Sequence, residues 1–543
     1  MPTSPGLPRR KFVGTAIAGG IMSGASGRAA PLPFETPIAV TGGWVTGTRS
    51  KITGVSAWLG IPYAAPPIGP LRWKPPQPLV PWTGMRHADR FSKSPWATPQ
   101  SPTSLYFHHA LEMDEDCLTI NVWAPDRPAA QPRPVMVWIY GGAFVSGTTD
   151  DPLYDGAALA ASGVVLVSLN YRVGIFGFFA HPTLSAESPH GVSGNYGLMD
   201  QVAALRWVQR NIVAFGGDPH NVTIFGQSAG AFSVGHHLVL PQSKGLFHRA
   251  IAESGAPMAT PSSYILLREL RPMEASGLQF QSEVGAADLA ALRAMPPAPL
   301  VEANSKAWRF DAAIDGWFLP DHPYRMMQQG RGHDVPLIAG FNHGEGNVFS
   351  PMGNGTASGF AAALRQWYGK GAAAATPLYP VASAADATKQ GHELFGDVVF
   401  NWNSAALAAM QTRHGKAPAY LYHFEHAPPL PAGRAYDEGT AATLGAFHGA
   451  EIAYVFGNLD ATGWMITDAD WNLSRTLQAC WCRFAATGNP NGAGVPHWPA
   501  FVSEETTVLH ISASAMTPGA LPFHDRLHLM GRMMDRKILD EIG

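Results

Sequence analysis

The sequence predicts an α/β fold with a central, mostly parallel sheet covered by helices on both faces. Three observations carry the prediction. Several short runs are apolar without interruption, as strands buried on both faces are. The segments between them place apolar residues at helical spacing. A serine between two glycines stands where one of these runs gives way to a second apolar stretch of helical character.

In chain order, the first segment stands apart. Arg9-Arg10-Lys11-Phe12-Val13 precedes a weakly apolar Gly/Ala-rich run from Gly14 to Gly27, followed by Arg28-Ala29-Ala30-Pro31. A basic region, an apolar region and small residues, in that order, make an export signal. The paired arginines before Phe12 resemble the twin-arginine type, whose route carries proteins already folded. Residues 1–30 are therefore read as an export signal and 31–543 as a single domain. The expected location is periplasmic or secreted, or cytoplasmic if the segment is not a signal.

The strands come next. Pro134–Ile139, Val164–Leu169 and Asn221–Phe225 are short apolar runs. Asp200–Ile212, between the last two, carries Val202, Leu205, Val208 and Ile212 on one helical face. Val335–Phe341, Ala419–Phe424 and Thr507–Ile511 continue the strand pattern, and Gly369–Ala375 reads as a loop. No repeat is visible, and no run approaches the roughly 20 apolar residues of a spanning helix.

Composition excludes several functions. The chain has 543 residues, 46% apolar and 14% charged, with a net charge of −3, which gives a large core and no basic footprint for nucleic acid. No basic amphipathic stretch argues for a membrane anchor. Of the three cysteines, Cys480 and Cys482 lie two apart in a helical pattern and point to different faces, so a disulfide framework is not expected. There is no CxxC pair and no HExxH, so neither a metal nor a cofactor is expected.

The most informative segment is Gly226-Gln227-Ser228-Ala229-Gly230, directly after the Asn221–Phe225 run. GxSxG at a strand-to-helix turn is a nucleophile elbow, which holds the serine oxygen out at the strand end. A serine hydroxyl is a weak nucleophile and needs a base; the oxyanion formed by its attack needs donors. Tyr140-Gly141-Gly142-Ala143-Phe144 follows the Pro134–Ile139 strand, and its small residues let backbone N–H groups approach a substrate oxygen. The backbones of Gly142, Ala143 and Ala229 are the expected donors.

With these motifs in view, the chain resembles the type-B carboxylesterases, which include cholinesterases and bacterial para-nitrobenzyl esterases. Phe215–Gly230 carries one signature and Glu115-Asp116-Cys117-Leu118-Thr119-Ile120-Asn121-Val122-Trp123-Ala124-Pro125 another. Gly60–Pro67 with Leu71-Arg72-Trp73, Asn170–Gly174 and Asn195–Gln201 are similar to the family as well. The likeness runs from about Pro37 to about His510. It implies the α/β-hydrolase fold and hydrolysis of a small-molecule carboxylic ester through an acyl-enzyme.

The resemblance also supplies what the residues alone leave open. Gly340-Phe341-Asn342-His343-Gly344-Glu345-Gly346 matches the acid motif and implies Glu345 as the acid. Gly445-Ala446-Phe447-His448-Gly449-Ala450-Glu451 matches the histidine motif and implies His448 as the base, one of 21 histidines. The order Ser, Glu, His is that of α/β-hydrolases. His343 is not read as catalytic; His108-His109 and His236-His237 are read as structural. Similarity further implies two buried ion pairs, Arg72 with Glu115 and Arg172 with Asp200, and a supporting hydrogen bond from Ser254.

The departures matter too. Many members have Glu before the nucleophile, where this chain has Gln227. Cholinesterases carry an aromatic three residues after the acid; here it is Val348. Their choline-stacking Trp has no match, Phe107 being the nearest residue by count. Without those aromatic faces a choline specialist is not expected. The usual partner of Cys117 is missing, since Phe91–Gln100 contains no cysteine. Phe144, Phe232 and Phe349, with Gln227 and Val348, are candidate pocket residues; the three phenylalanines read equally well as core. Two rivals remain: a non-catalytic binding protein on the same fold, and a hydrolase of lactones, thioesters or amides. The natural ester and the oligomeric state are not legible.

Overall fold

The computed structural model describes residues 33–259, 267–307, 310–502 and 507–540. The export-signal reading of residues 1–30 lies outside the described residues.

Among the described residues the chain builds an eleven-stranded mixed sheet. Its strands are β1 (Thr48–Arg49), β2 (Val55–Pro62), β3 (Thr119–Pro125), β4 (Arg133–Ile139), β5 (Val165–Leu169), β6 (Gly217–Gln227), β7 (Arg249–Glu253), β8 (Leu337–Asn342), β9 (Ala419–Phe424), β10 (Val508–Ile511) and β11 (Met516–Gly519). In space they run β11-β10-β9-β8-β7-β6-β4-β5-β3-β2-β1. The seven from β5 through β4 and β6 to β10 pair parallel, and the remaining strands pair antiparallel at either edge.

Each apolar run read as a strand is one, within a few residues. Every residue of β5, β8 and β9 is buried. Successive strand residues point to opposite faces, so both faces of the sheet are covered. The helix read over 200–212 spans Tyr196–Asn211 (α1), with Leu198, Val202, Leu205 and Val208 buried. Gly369–Ala375, read as a loop, instead forms a 3-10 turn at Gly369–Gly371 and one helical turn at Ala372–Ala375. Four consecutive alanines favour that turn more than two flanking glycines oppose it.

Strand order reverses around β4: the chain passes from β4 to β5 on one side, then through α1 to β6 on the other. In such sheets a crevice opens beyond the carboxyl ends of the strands at the reversal. The Gly-Gly loop leaves β4 there, and Ser228 follows β6.

Both ion pairs are present. Arg172 donates through Nε and Nη2 to Asp200, each at 2.7 Å, and its backbone N–H adds a third bond at 3.1 Å. Arg72 donates through Nε to Glu115 at 2.7 Å, and its Nη1 reaches the carbonyls of Arg293 and Met295. All three cysteines are free, and Cys117 and Cys480 are buried.

Candidate active site

Ser228 stands between β6 and helix α2 (Ala229–His237) with φ 57° and ψ −123°. A residue with a side chain reaches positive φ only when its surroundings hold it there. Two close approaches do so. A Cβ on Gly226 would lie 2.5 Å from the Ile139 carbonyl oxygen, and one on Gly230 would lie 1.9 Å from the same atom. Only glycine lets α2 start this close to the end of β4. The Ser228 N–H donates to the Glu253 carbonyl at 2.9 Å, and its carbonyl accepts from the Phe232 N–H at 2.9 Å. Ser228 is half-buried, although its neighbours Gly226, Gln227, Ala229 and Gly230 are all buried.

The Gly-Gly loop lies against this turn. A Cβ on Gly141 would meet Ser228 Cβ at 3.0 Å. Gly142, Ala143 and Phe144 all have positive φ, at 109°, 54° and 59°. The Gly142 carbonyl is turned away into bonds from the N–H groups of Val145 and Ser146, each 3.0 Å. Tyr140 and Tyr171 buttress the loop: the rings stack at 4.5 Å, and each hydroxyl donates to the other's carbonyl, at 3.0 and 2.9 Å. Ala229, the first residue of α2, sits at the helix end that favours negative charge.

Glu345 begins a short turn just beyond β8 and is 1% exposed. Its Oε1 accepts from the Asn342 N–H at 2.6 Å, and its Oε2 lies 2.5 Å from His448 Nδ1. The imidazole packs against the Phe400 ring at 4.1 Å and 29°, with Phe349 at 5.4 Å. The Gln227 amide nitrogen lies 3.1 Å from His448 Nε2 and 3.4 Å from Nδ1. A carbon joins those two ring nitrogens, so an atom near both sits over the ring rather than on either in-plane lone pair. The imidazole is thus held beside the residue that precedes the nucleophile. Among the described residues, the Ser228 hydroxyl has no hydrogen-bond partner; the His448–Ser228 bond is not formed here.

The other sequence candidates are spread over a larger volume. Phe144 packs edge-on to Phe178 at 5.1 Å and is 1% exposed. Phe232 is also buried, its ring beneath Gly255. Val348 and Phe349 are half-buried, and Phe349 stacks on Phe395 at 4.5 Å. A cavity of about 540 Å³ opens on the acid side, lined by Glu345, Asn347, His392 and Arg526, without Ser228 in its wall.

Several residues that support the site were not singled out from sequence. Tyr106 donates its hydroxyl to the His448 carbonyl at 2.7 Å. Asn342 donates its amide to the Phe447 carbonyl at 2.8 Å and to Glu451 Oε2 at 2.5 Å. Glu451 also accepts from Ser254 Oγ at 3.4 Å, and Glu253 accepts from Trp481 Nε1 at 2.7 Å. Burial, then the charge of Glu345, pushes the Glu451 carboxyl up to about 8. Burial, then Glu451, pushes Glu253 well above the usual carboxylate range. Each is thereby biased toward its protonated, uncharged form beside Glu345. Asn342 and Glu451 lie inside the two quoted motifs, but only the fold shows that they touch. Phe400 belongs to no motif; it projects from a π-helical turn, Asp397–Asn401, a feature often found at functional sites.

A strained serine after a central parallel strand, beside a glycine loop and a carboxylate-bound imidazole, defines a serine hydrolase of the α/β-hydrolase fold. The chain belongs to the carboxylesterase family, whose model matches residues 35–525. It is 40% identical over 484 residues to a para-nitrobenzyl esterase of Bacillus subtilis (strain 168), covering 86% of this chain and 93% of that one. It is 38% identical over 461 residues to a fumonisin B1 esterase of Sphingopyxis macrogoltabida, covering 82% of each. A solved thermophilic PNB esterase superposes with TM-score 0.78 at 34% identity, covering 91% of this chain and all of its own. The protein is a carboxylic-ester hydrolase. Among the described residues, no helix is long and apolar enough to cross a membrane.

Proposed function

We propose that Ser228, His448 and Glu345 carry out a two-step acyl transfer on a small-molecule carboxylic ester. The observation that carries this reading is the 2.5 Å contact between Glu345 Oε2 and His448 Nδ1. It supports a neutral ring protonated on Nδ1, with Nε2 as the base. His448 Nε2 takes the Ser228 proton as Oγ attacks the ester carbonyl, and Glu345 stabilises the imidazolium that results. The backbone N–H groups of Gly142, Ala143 and Ala229 bind the oxyanion, aided by the N-terminus of α2. His448 then protonates the departing alcohol, and water cleaves the acyl-enzyme by the same route. Phe349 beside the imidazole favours an apolar acyl or alcohol group, and Val348, Phe144 and Phe232 are the further wall residues of this reading. The Gln227 amide over the ring brings no charge to the site, which suits an uncharged ester. Residues 31–543 act as one domain, and residues 1–30 direct export to the periplasm or beyond.

The test is hydrolysis of p-nitrophenyl esters of increasing chain length, alongside labelling by an active-site phosphonate. Ser228→Ala should lower kcat by on the order of 10⁶-fold and abolish labelling. Hydrolysis and labelling that survive this substitution reject Ser228 as the nucleophile.

A further inference from the structure

We propose that His423, Glu425 and His510 form a binding site for a divalent transition-metal ion of the zinc class, at the carboxyl edge of the sheet and apart from the hydrolytic site. The placement follows from strand geometry. His423 is the penultimate residue of β9, and Glu425 follows that strand two residues on, so both side chains leave on one face. His510 on β10 is the direct parallel partner of His423, and the Glu425 N–H continues the ladder to the Ile511 carbonyl at 2.8 Å. Three potential ligands from two neighbouring strands therefore project together.

Their atoms converge. His510 Nδ1 lies 2.9 Å from Glu425 Oε1, His423 Nδ1 lies 3.1 Å from the same oxygen, and the two Nδ1 atoms are 3.4 Å apart. A tetrahedral ion with ligand bonds of ~2.0–2.1 Å has its ligands ~3.3 Å from one another, so this triangle is close to one face of that tetrahedron. Two imidazoles and one carboxylate are a donor set suited to zinc and its first-row neighbours.

The hydrogen bonding points the same way. His510 Nε2 lies 2.8 Å from the Ala520 carbonyl, which can only accept, so this nitrogen carries a proton. In the neutral ring Nδ1 is then a bare lone pair aimed at a carboxylate oxygen. Two acceptors at that distance repel unless something positive lies between them, and the second imidazole crowds the same point. A proton on His510 Nδ1 relieves that one pair, whereas a single divalent ion satisfies both imidazoles and the carboxylate together. The Ala520 carbonyl is then the outer partner that fixes the ring of a metal-ligating histidine. His423 is buried, with the rings of Phe341, His343 and Phe523 packed around it, whereas Glu425 is exposed and solvent completes the coordination. The ion would clamp β9 to β10 next to the end of β8, whose continuation carries Glu345. No CxxC or HExxH pattern announces such a site; it is assembled across strands.

The experiment uses the full-length protein, stripped with a chelator, and titrates Zn²⁺ by calorimetry and Co²⁺ by visible absorption. One ion per chain is expected, with the intense visible bands of tetrahedral Co²⁺ and a rise in Tm on adding Zn²⁺. Loss of an outer partner weakens metal binding by about 10–100-fold, and Glu425→Gln or His510→Asn should weaken it at least that much. Glu425→Gln is a surface change that keeps the fold and retains p-nitrophenyl ester hydrolysis, so a failed metal site and a failed esterase reading are distinguishable. Absence of stoichiometric binding to the parent protein overturns the proposal. So does binding of unchanged affinity in both variants, which would place the ion on other histidines.

Discussion

A methyl group added at Gly230 would lie 1.9 Å from the Ile139 carbonyl oxygen, whereas one added at Gly449, beside His448, would meet nothing closer than 3.3 Å. The nucleophile turn and the histidine loop are held by different forces. The nucleophile turn is a steric object, in which strand, turn and helix are so close that only glycine fits. The histidine loop is a hydrogen-bonded object. Gly344 donates to the Ala446 carbonyl at 2.8 Å, Asn342 to Phe447 at 2.8 Å, Asn347 to Leu444 at 3.0 Å and Tyr106 to His448 at 2.7 Å. Each of those bonds reaches the loop from elsewhere in the chain. Steric exclusion is all or none, while a network is a sum of small terms that can be removed one at a time.

Three substitutions test that contrast. The largest effect belongs to the network and falls on chemistry. Glu345→Gln keeps the shape but loses the charge that fixes the imidazole tautomer, and kcat should fall about 10⁴-fold. Its urea midpoint should move far less than that of an elbow variant; unfolding comparable to an elbow variant would mean that the acid is as structural as the glycines. Next comes the elbow. Gly230→Ala should cost more than about 4 kcal/mol and reduce soluble protein, because backbone and not a flexible side chain stands in the way. Gly449→Ala, at φ 83°, should cost only the roughly 1–2 kcal/mol of a left-handed residue. Equal losses in the two variants, measured by urea denaturation, would erase the distinction.

The last test concerns the buried carboxyl beneath the network. Glu451, pushed up to about 8, keeps its proton in the folded protein while the unfolded chain has already lost it above the ordinary value of 4.5. The folded state therefore binds more protons across that window, and stability falls as pH rises through it, by at most about 1.4 kcal/mol per pH unit. Below the window the effect vanishes, and above about 8 the full cost remains. Glu451→Gln should flatten the slope of Tm against pH and make the protein more stable than the parent at alkaline pH. An unchanged slope would show that the carboxyl is ionised in the folded state.

The same contrast explains what could be read in advance. The apolar runs became strands because burial on both faces leaves a contiguous signature. The Ser228 elbow and the Gly142–Ala143 loop were legible because a tight turn demands small residues in consecutive positions. Glu345 and His448 were reachable only through resemblance; nothing in the spacing joins them. Tyr106, Asn342, Phe400 and Glu451 were not assigned at all, for each acts on the site from a separate segment. The same holds for His423, Glu425 and His510, whose meeting depends on the pairing of β9 with β10.

By itself, then, the order of residues determined the layered α/β architecture, the strand that presents the nucleophile and the glycines around it. Periodicity and steric exclusion act between near neighbours and so leave their mark in a local string. Tertiary structure alone decided which imidazole meets which carboxylate, which acids are buried beside one another and which aromatic rings pack on the imidazole. Those outcomes depend on distances between strand ends that the chain separates by long excursions, and distance in space is not written in spacing along the chain.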